Sequence, residues 1–167
     1  FFSGLKSGIL FRHAGASLKR IMASLCLAGP PAWALGLLAG RIQMADTLAS
    51  PLVYLFHPLP KVAFLPLLML LFGLGDASKV ALMGLVVFGQ LFVGARDSAK
   101  AIAPSLLDTV KSLGGGRAAT LRHAILPATL PALISSLRIS LGTTIAVLFL
   151  SETFASINGL GWYIMDS

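Results

Sequence analysis

Long apolar runs punctuated by basic residues set the pattern of this chain. Residues 21–40 carry no charge over 20 positions and are bounded by Lys19-Arg20 and Arg41. About 20 mostly apolar residues take a helix across the hydrocarbon core of a bilayer, so this run predicts a membrane span. Pro30-Pro31 should kink it unless a neighbour or water satisfies the freed carbonyls. A second run begins after Pro51, passes His57-Pro58-Leu59-Pro60-Lys61 and continues through residues 62–75, where 14 uncharged positions are short for a crossing. Extending it back toward Leu52 recovers the length at the cost of the Pro58/Pro60 break and Lys61. A third run holds 16 residues, 80–95, between Lys79 and Arg96, and a fourth covers residues 132–151, interrupted by Arg138 and closed by Glu152. The pattern predicts four spans, two intact and two broken.

Between the third and fourth runs lies the longest polar stretch, residues 96–127. Within it Pro104-Ser105-Leu106-Leu107-Asp108 reads as a helix start, with Ser105 and Asp108 at capping-box spacing. Leu106, Leu107, Val110 and Leu113 recur at helical spacing and leave Asp108 and Lys111 toward water. Gly114-Gly115-Gly116 should end that helix, since glycine takes the left-handed conformation of a tight C-cap. A second short helix, about residues 117–126, should stop at Pro127. The product is a compact helix-turn-helix with a partly apolar face. Such a face fits a groove in a partner protein or the lipid interface, and the residues alone do not choose between them. In the first run Ser24, Ala28, Ala32, Gly36 and Gly40 fall every four residues, a spacing that lets two helix backbones approach closely.

Composition narrows the class. The chain is 56% apolar and only 11% charged, against about 25% charged in soluble domains, and its mean hydropathy is +0.88. That excludes a disordered tail and points to a membrane protein. The net charge of +7 comes from basic residues lying between apolar runs, where the Lys/Arg bias of cytoplasmic loops explains them better than nucleic-acid binding. If four spans alternate, one side holds Arg41, Lys61, Arg96, Lys100, Lys111, Arg117 and Arg122. The other holds Lys6, Arg12, Lys19, Arg20 and Lys79, so the count places the 96–127 loop in the cytoplasm. Cys26 is the single cysteine, which precludes an intrachain disulfide. No Cys/His cluster marks a metal site, and the glycine run lacks the G-x-x-x-x-G-K-[ST] spacing of a phosphate cradle. Arg138 and Glu152 are the charges near membrane depth, where ionisable groups are costly. Fourteen residues of helix separate them by about 21 Å, too far for a direct pair, so each sits at an opposite interface or serves a pathway. His57 reads as a loop residue, Trp33, Trp162 and Tyr163 as packing or interfacial anchors, and Asn158-Gly159-Leu160-Gly161 as a turn. A start at Phe1, without initiator or signal peptide, reads as a piece of a longer protein.

The loop also carries a resemblance. Asp108-Thr109-Val110-Lys111-Ser112-Leu113-Gly114, then nine residues, then Ala124-Ile125-Leu126-Pro127 resembles the E-A-A-x3-G-x9-I-x-L-P loop of permease subunits of bacterial binding-protein-dependent ABC importers. Asp108 replaces Glu, Thr109-Val110 replaces Ala-Ala, and Ala124 stands at the Ile position. His57-Pro58-Leu59-Pro60-Lys61-Val62-Ala63-Phe64-Leu65-Pro66-Leu67 and Leu71-Phe72-Gly73-Leu74-Gly75-Asp76-Ala77-Ser78-Lys79 are similar to the nitrate, sulfonate and taurine group. So are Leu137-Arg138-Ile139-Ser140-Leu141-Gly142, Ser151-Glu152 and Asn158-Gly159-Leu160-Gly161-Trp162-Tyr163-Ile164.

The resemblance implies an all-α, polytopic transmembrane helix bundle with a cytoplasmic helical coupling loop. About four spans would lie in this chain and about six in the intact subunit. Residues 1–167 would form a single transmembrane permease domain, truncated at both ends, with its coupling loop at about 96–127. It further implies a multi-pass protein of the bacterial inner membrane that forms a pathway for a small anionic solute and works by alternating access. The implied partners are a cytoplasmic ABC ATPase dimer holding ATP and Mg, a second and identical permease subunit, a periplasmic substrate-binding protein and the bilayer. This chain would be non-catalytic and bind no cofactor. Ser105, Leu106, Leu107, Asp108, Val110, Gly114, Leu126 and Pro127 map to the coupling loop, with Arg138 and Glu152 as candidate pathway groups. Two rival classes are an ion-gradient-driven secondary transporter, for which Glu152 is the one candidate coupling carboxylate, and a non-transporting membrane scaffold.

Overall fold

Every regular element among the described residues is helical, as hydrocarbon requires of a chain that must satisfy its backbone groups within each segment. The computed structural model describes residues 9–56, 58–155 and 159–166. In chain order the elements are α1 (Ile9–Arg41), α2 (Gln43–Phe56), a 3-10 turn (Lys61–Phe64) leading into α3 (Leu65–Phe72), and α4 (Asp76–Lys100). There follow α5 (Pro104–Ser112), α6 (Arg117–Thr120), a π turn (Leu121–Ile125), α7 (Leu126–Ala155) and α8 (Leu160–Asp166).

Three helical stretches among the described residues are long and apolar enough to cross a membrane: Phe11–Arg41, Asp76–Lys100 and Arg117–Thr153. The predicted second span is instead the shorter apolar helix Lys61–Phe72. Gly73, at φ +79, ends it, and Pro60 has no backbone N–H with which to extend it backward. His57, read as a loop residue, lies outside the described residues. The other spans overrun their uncharged cores. α1 takes in Arg12, Lys19 and Arg20 and passes through Pro30-Pro31 as helix, while α4 reaches from Asp76 to Lys100.

The chain forms two compact units. The first comprises residues 1–30, 59–87 and 140–167. Its core joins Leu65 and Leu68 of α3, Leu82, Met83 and Val86 of α4, and Val147 and Leu148 of α7. Ala28 of α1 faces Gly84 of α4 here, with 3.7 Å from the alanine methyl to the place a glycine Cβ would occupy. The second unit comprises residues 31–58 and 88–139. Its core contains Leu37, Ala95 and Ala99, with Trp33 and Ile125 packed against them.

Within the second unit, a Cβ on Gly36 would lie 2.5 Å from the Phe92 carbonyl oxygen, and one on Gly40 would sit on the Arg96 carbonyl oxygen. The small-residue stripe therefore packs on α4. A step of four residues along α1 matches a step of four along α4, so these two segments run parallel. α2 runs the other way: Asp46 reaches Lys100 and Arg96, while Ser50, one turn later, reaches Arg96. Large apolar side chains such as Leu27, Leu70, Ile134 and Ile145 remain exposed. In a bilayer their solvent is lipid, whose tails are as apolar as they are.

Candidate functional site

The polar loop is built from two helix stems and one short helix. α4 gives its last backbone bond from Ala101 N–H to the Asp97 carbonyl at 3.0 Å. Ala103 is then extended (φ −58, ψ 133), the conformation a following proline imposes, and Pro104 occupies the first helical position, where its missing N–H costs nothing. The predicted capping box does not form. Ala103 is the N-cap and no side chain caps the helix, because Pro104 already starts the helix and places Ser105 inside it. The Ser105 carbonyl accepts from Thr109 Oγ1 at 2.8 Å, and exposed Asp108 pairs with Lys111 at 3.1 Å.

The apolar positions of α5 divide between two faces. Leu107 is buried and Val110 half-buried, both packed with Ile102, Ala124 and Ile125. Leu106 and Leu113 point outward, at 42% and 83% exposure. The outward apolar side chains of α5 and its C-cap are thus Leu106 and Leu113, while Leu107 is consumed by the loop's own core.

Gly114 ends α5 as predicted, with φ +77. Its N–H donates to the Lys111 carbonyl and that of Gly115 to the Val110 carbonyl, both at 2.9 Å, which is the Schellman arrangement that closes orphan carbonyls. Gly115 carries a second constraint that spacing did not single out: a Cβ there would meet Val110 Cγ1 at 2.6 Å and the Val110 carbonyl oxygen at 2.7 Å.

Pro127 does not stop a helix. α6, the π turn and α7 run on continuously, with Leu126 N–H donating to the Leu121 carbonyl five residues back. The wider π turn displaces the backbone just before Pro127 and opens a new helical stretch whose first turn tolerates a proline. Leu126 and Pro127 are exposed there.

At the base of the loop sits an ion cluster that the sequence reading missed. Asp46 Oδ1 accepts from Arg96 Nε and Asp46 Oδ2 from Lys100 Nζ, each at 2.6 Å. Arg96 Nη2 donates to Ser50 Oγ at 2.7 Å and Arg96 Nη1 to Asp97 Oδ1 at 3.1 Å. Arg41 Nη1 donates to the Ala99 carbonyl at 3.3 Å. A usable signal existed: Asp46 is the one acidic residue before Asp76.

The bonds from Lys100 and then Arg96 hold the Asp46 carboxyl below the usual carboxylate range. A lowered folded value means that the stability this group contributes is full above its unfolded value, about 3.9, and is lost as pH falls through the folded value. The difference in thermal midpoint between the unchanged chain and Asp46→Asn in detergent should therefore hold constant from about pH 7 to about pH 5. It should shrink only below about pH 4. Shrinkage between pH 7 and pH 5 would contradict the pairing.

Arg138 is exposed on α7, whereas Glu152 is 1% exposed. Glu152 does not occupy an open interface, because its partners come from α1 and α8. Its Oε1 accepts from Arg20 Nη1 at 2.6 Å and Ser17 Oγ at 2.8 Å, and its Oε2 from Gly161 N–H at 2.9 Å. Arg20 is also paired with Asp76 at 2.6 Å. Gly159 N–H donates to His13 Nδ1 and Leu160 N–H to Ser17 Oγ, both at 3.1 Å, and the Tyr163 ring stacks on His13 with centroids 5.5 Å apart. Of the predicted turn, Asn158 lies outside the described residues, Gly159 has φ +133, and Leu160 and Gly161 begin α8. Arg138 and Glu152 are not brought together.

Residues 32–167 match the family described as binding-protein-dependent transport system inner membrane component. The taurine transport system permease protein TauC of Escherichia coli (strain K12) is 32% identical over 98% of this chain and 60% of its own length. A putative aliphatic sulfonates transport permease protein SsuC of Bacillus subtilis (strain 168) is 28% identical over 96% of this chain and 58% of its own. The riboflavin transport system permease protein RibX of Chloroflexus aurantiacus is 29% identical over 96% and 60%. The chain thus spans about three fifths of the length of the curated relatives it matches.

Proposed function

Because the chain belongs to the family of binding-protein-dependent transport system inner membrane components, we propose that it is part of a permease subunit of an ABC importer. It lines a pathway for a small anionic solute of the aliphatic sulfonate, taurine or nitrate type. α5 is the coupling helix, seated in a groove of a cytoplasmic ATPase dimer that holds ATP and Mg. This chain itself is non-catalytic and binds no cofactor. A periplasmic binding protein delivers solute, and an identical second permease subunit completes the pathway in the bacterial inner membrane.

The observation that carries this reading is the geometry of α5. A nine-residue helix is fixed between two membrane-length helices, its inner face packed through Leu107 and Val110, with Leu106 and the C-cap Leu113 exposed on one flank and the Asp108–Lys111 pair on the other. A short amphipathic helix of that kind fits a protein groove. Closure of the nucleotide-loaded ATPase would shift the helix and, through its stems, the spans between inward- and outward-open states. The taurine and sulfonate permeases among the relatives support the solute class. The secondary-transporter reading fares worse: its one candidate carboxylate, Glu152, already accepts three hydrogen bonds, so proton coupling there would have to dismantle an internal network.

The test is copurification of the ATPase with the full-length protein, comparing the unchanged protein with Gly114→Asp. A side chain at φ +77 costs about 1–2 kcal/mol and undoes the Schellman closure. The variant should insert normally and lose most of the ATPase. No copurification with correctly inserted unchanged protein would overturn the importer reading, and retention by the variant would overturn the role of Gly114 in shaping the docking surface.

A further inference from the structure

The 96–127 loop joins the rest of the second unit through Ile125, which packs in the Leu37 and Ala95 cluster. Leu107, Val110, Ile102, Ala124 and Ile125 form its small core. Its α4 stem packs on α1 through Gly36, Gly40 and Ala99. Those apolar contacts are short-range and non-directional, so they resist separation better than sliding of one helix along another.

Asp46 adds a different kind of link. It lies on α2, in the first turn of that helix, and spans two successive turns of the α4 stem by accepting from Arg96 and Lys100 at once. Lys100 is the last residue of α4, three positions before the N-cap of α5. Arg96 is almost buried, is turned toward Ser50 by a second bond from the same guanidinium, and is also held by Asp97. Two charge-assisted bonds at 2.6 Å from different turns fix α2 both along and around the α4 axis. Sliding α4 by even part of a turn breaks one bond without improving the other.

We propose that Asp46 is a positioning residue of the coupling apparatus. It clamps α2 to the α4 stem so that displacement delivered at α5 carries α2 with it rather than being absorbed by the stem. This rests on the reading of α5 as the coupling helix. The Lys100–Asp46 pair is open to solvent on the lysine side and contributes little to stability, whereas the more enclosed Arg96–Asp46 pair also supports the local fold.

Two measurements test it. In the full-length permease, coexpressed with its ATPase and reconstituted, Asp46→Asn should keep the ATPase bound. Stimulation of hydrolysis by solute-loaded binding protein should fall about fivefold or more, the lower end of coupling between linked sites. Asp46→Glu should restore most of the stimulation, and Lys100→Gln, at a largely exposed side chain, should give a smaller loss of the same kind. Independently of any ATPase, hydrogen exchange of the permease in detergent should quicken across residues 97–107 in Asp46→Asn, with α7 unchanged.

Normal stimulation in Asp46→Asn, or a loss that Asp46→Glu does not relieve, overturns the clamp. Should Asp46→Asn fail to insert, Lys100→Gln decides, and its full stimulation overturns the clamp. An unchanged permease that never binds the ATPase would overturn the coupling-helix reading instead, and the exchange result would still report on the clamp.

Discussion

Truncating Glu152 to alanine is expected to destabilise the protein by about 3–5 kcal/mol, the usual cost of breaking one side of a buried ion pair. The pair is enclosed, with Arg20 5% and Glu152 1% exposed. Removing the carboxylate leaves Arg20 with Asp76 as its acidic partner and orphans the Ser17 hydroxyl and the Gly161 N–H. Buried donors without acceptors add to the cost. A loss of that size is a large part of the 5–15 kcal/mol typical of folded domains, so the thermal midpoint in detergent should fall sharply.

Glu152→Gln keeps the volume and some hydrogen bonding and should lose less. A double variant, Arg20→Met with Glu152→Met, should recover part of the loss, since it removes the buried guanidinium together with the buried carboxylate it paired with. A Glu152→Ala midpoint within a degree or two of the unchanged protein would mean that the carboxylate is not held as described. Additive effects in the double variant would show that Arg20 and Glu152 are not coupled.

Gly40→Val should also be strongly damaging, for a different reason. A Cβ at Gly40 falls on the Arg96 carbonyl oxygen and within 2.7 Å of the Ala99 methyl. The obstacle is backbone, which has no alternative rotamer, so α1 and α4 must separate or the unit must rearrange. Overpacking of a close-packed site costs about 1–3 kcal/mol and more where nothing can give. Separation would also pull the α4 stem from its packing on Leu37 and Trp33. Gly36→Leu repeats the test one turn earlier, against the Phe92 carbonyl oxygen. Gly15→Ala and Gly142→Ala serve as controls, because a Cβ at either meets nothing within 4 Å. They should be neutral or stabilising by up to about 1 kcal/mol from helix propensity. The readouts are the monodisperse fraction in detergent and the thermal midpoint, and controls as damaged as Gly40→Val would remove the packing explanation.

The same two sites show how far one-dimensional reading reaches. The small-residue stripe from Ser24 to Gly40 was legible as a close-contact face, since its four-residue period is local to one helix. Its partner was not legible, because any apolar run offers a similar surface. Gly114 as a helix stop was legible for the same local reason. The capping box at Ser105 failed because Pro104 and Ala103 settled the helix start two residues earlier. Pro127 was misread as a stop because a π turn, which no residue pattern announces, let the helix continue.

Apolar run length, charge placement and glycine spacing by themselves determined that this is an all-helical membrane protein with a short helix, closed at Gly114, between its last two spans. Those features follow from hydrophobic transfer and backbone satisfaction, which act residue by residue. Only the tertiary structure decided which charges meet. Arg20 and Glu152 are 132 positions apart, and Asp46 and Lys100 are 54 apart. A sequence lists such charges individually, while their pairing depends on the parallel and antiparallel docking of helices. Electrostatic partners are set by distances of a few ångströms, and distance in space is what the linear pattern does not contain.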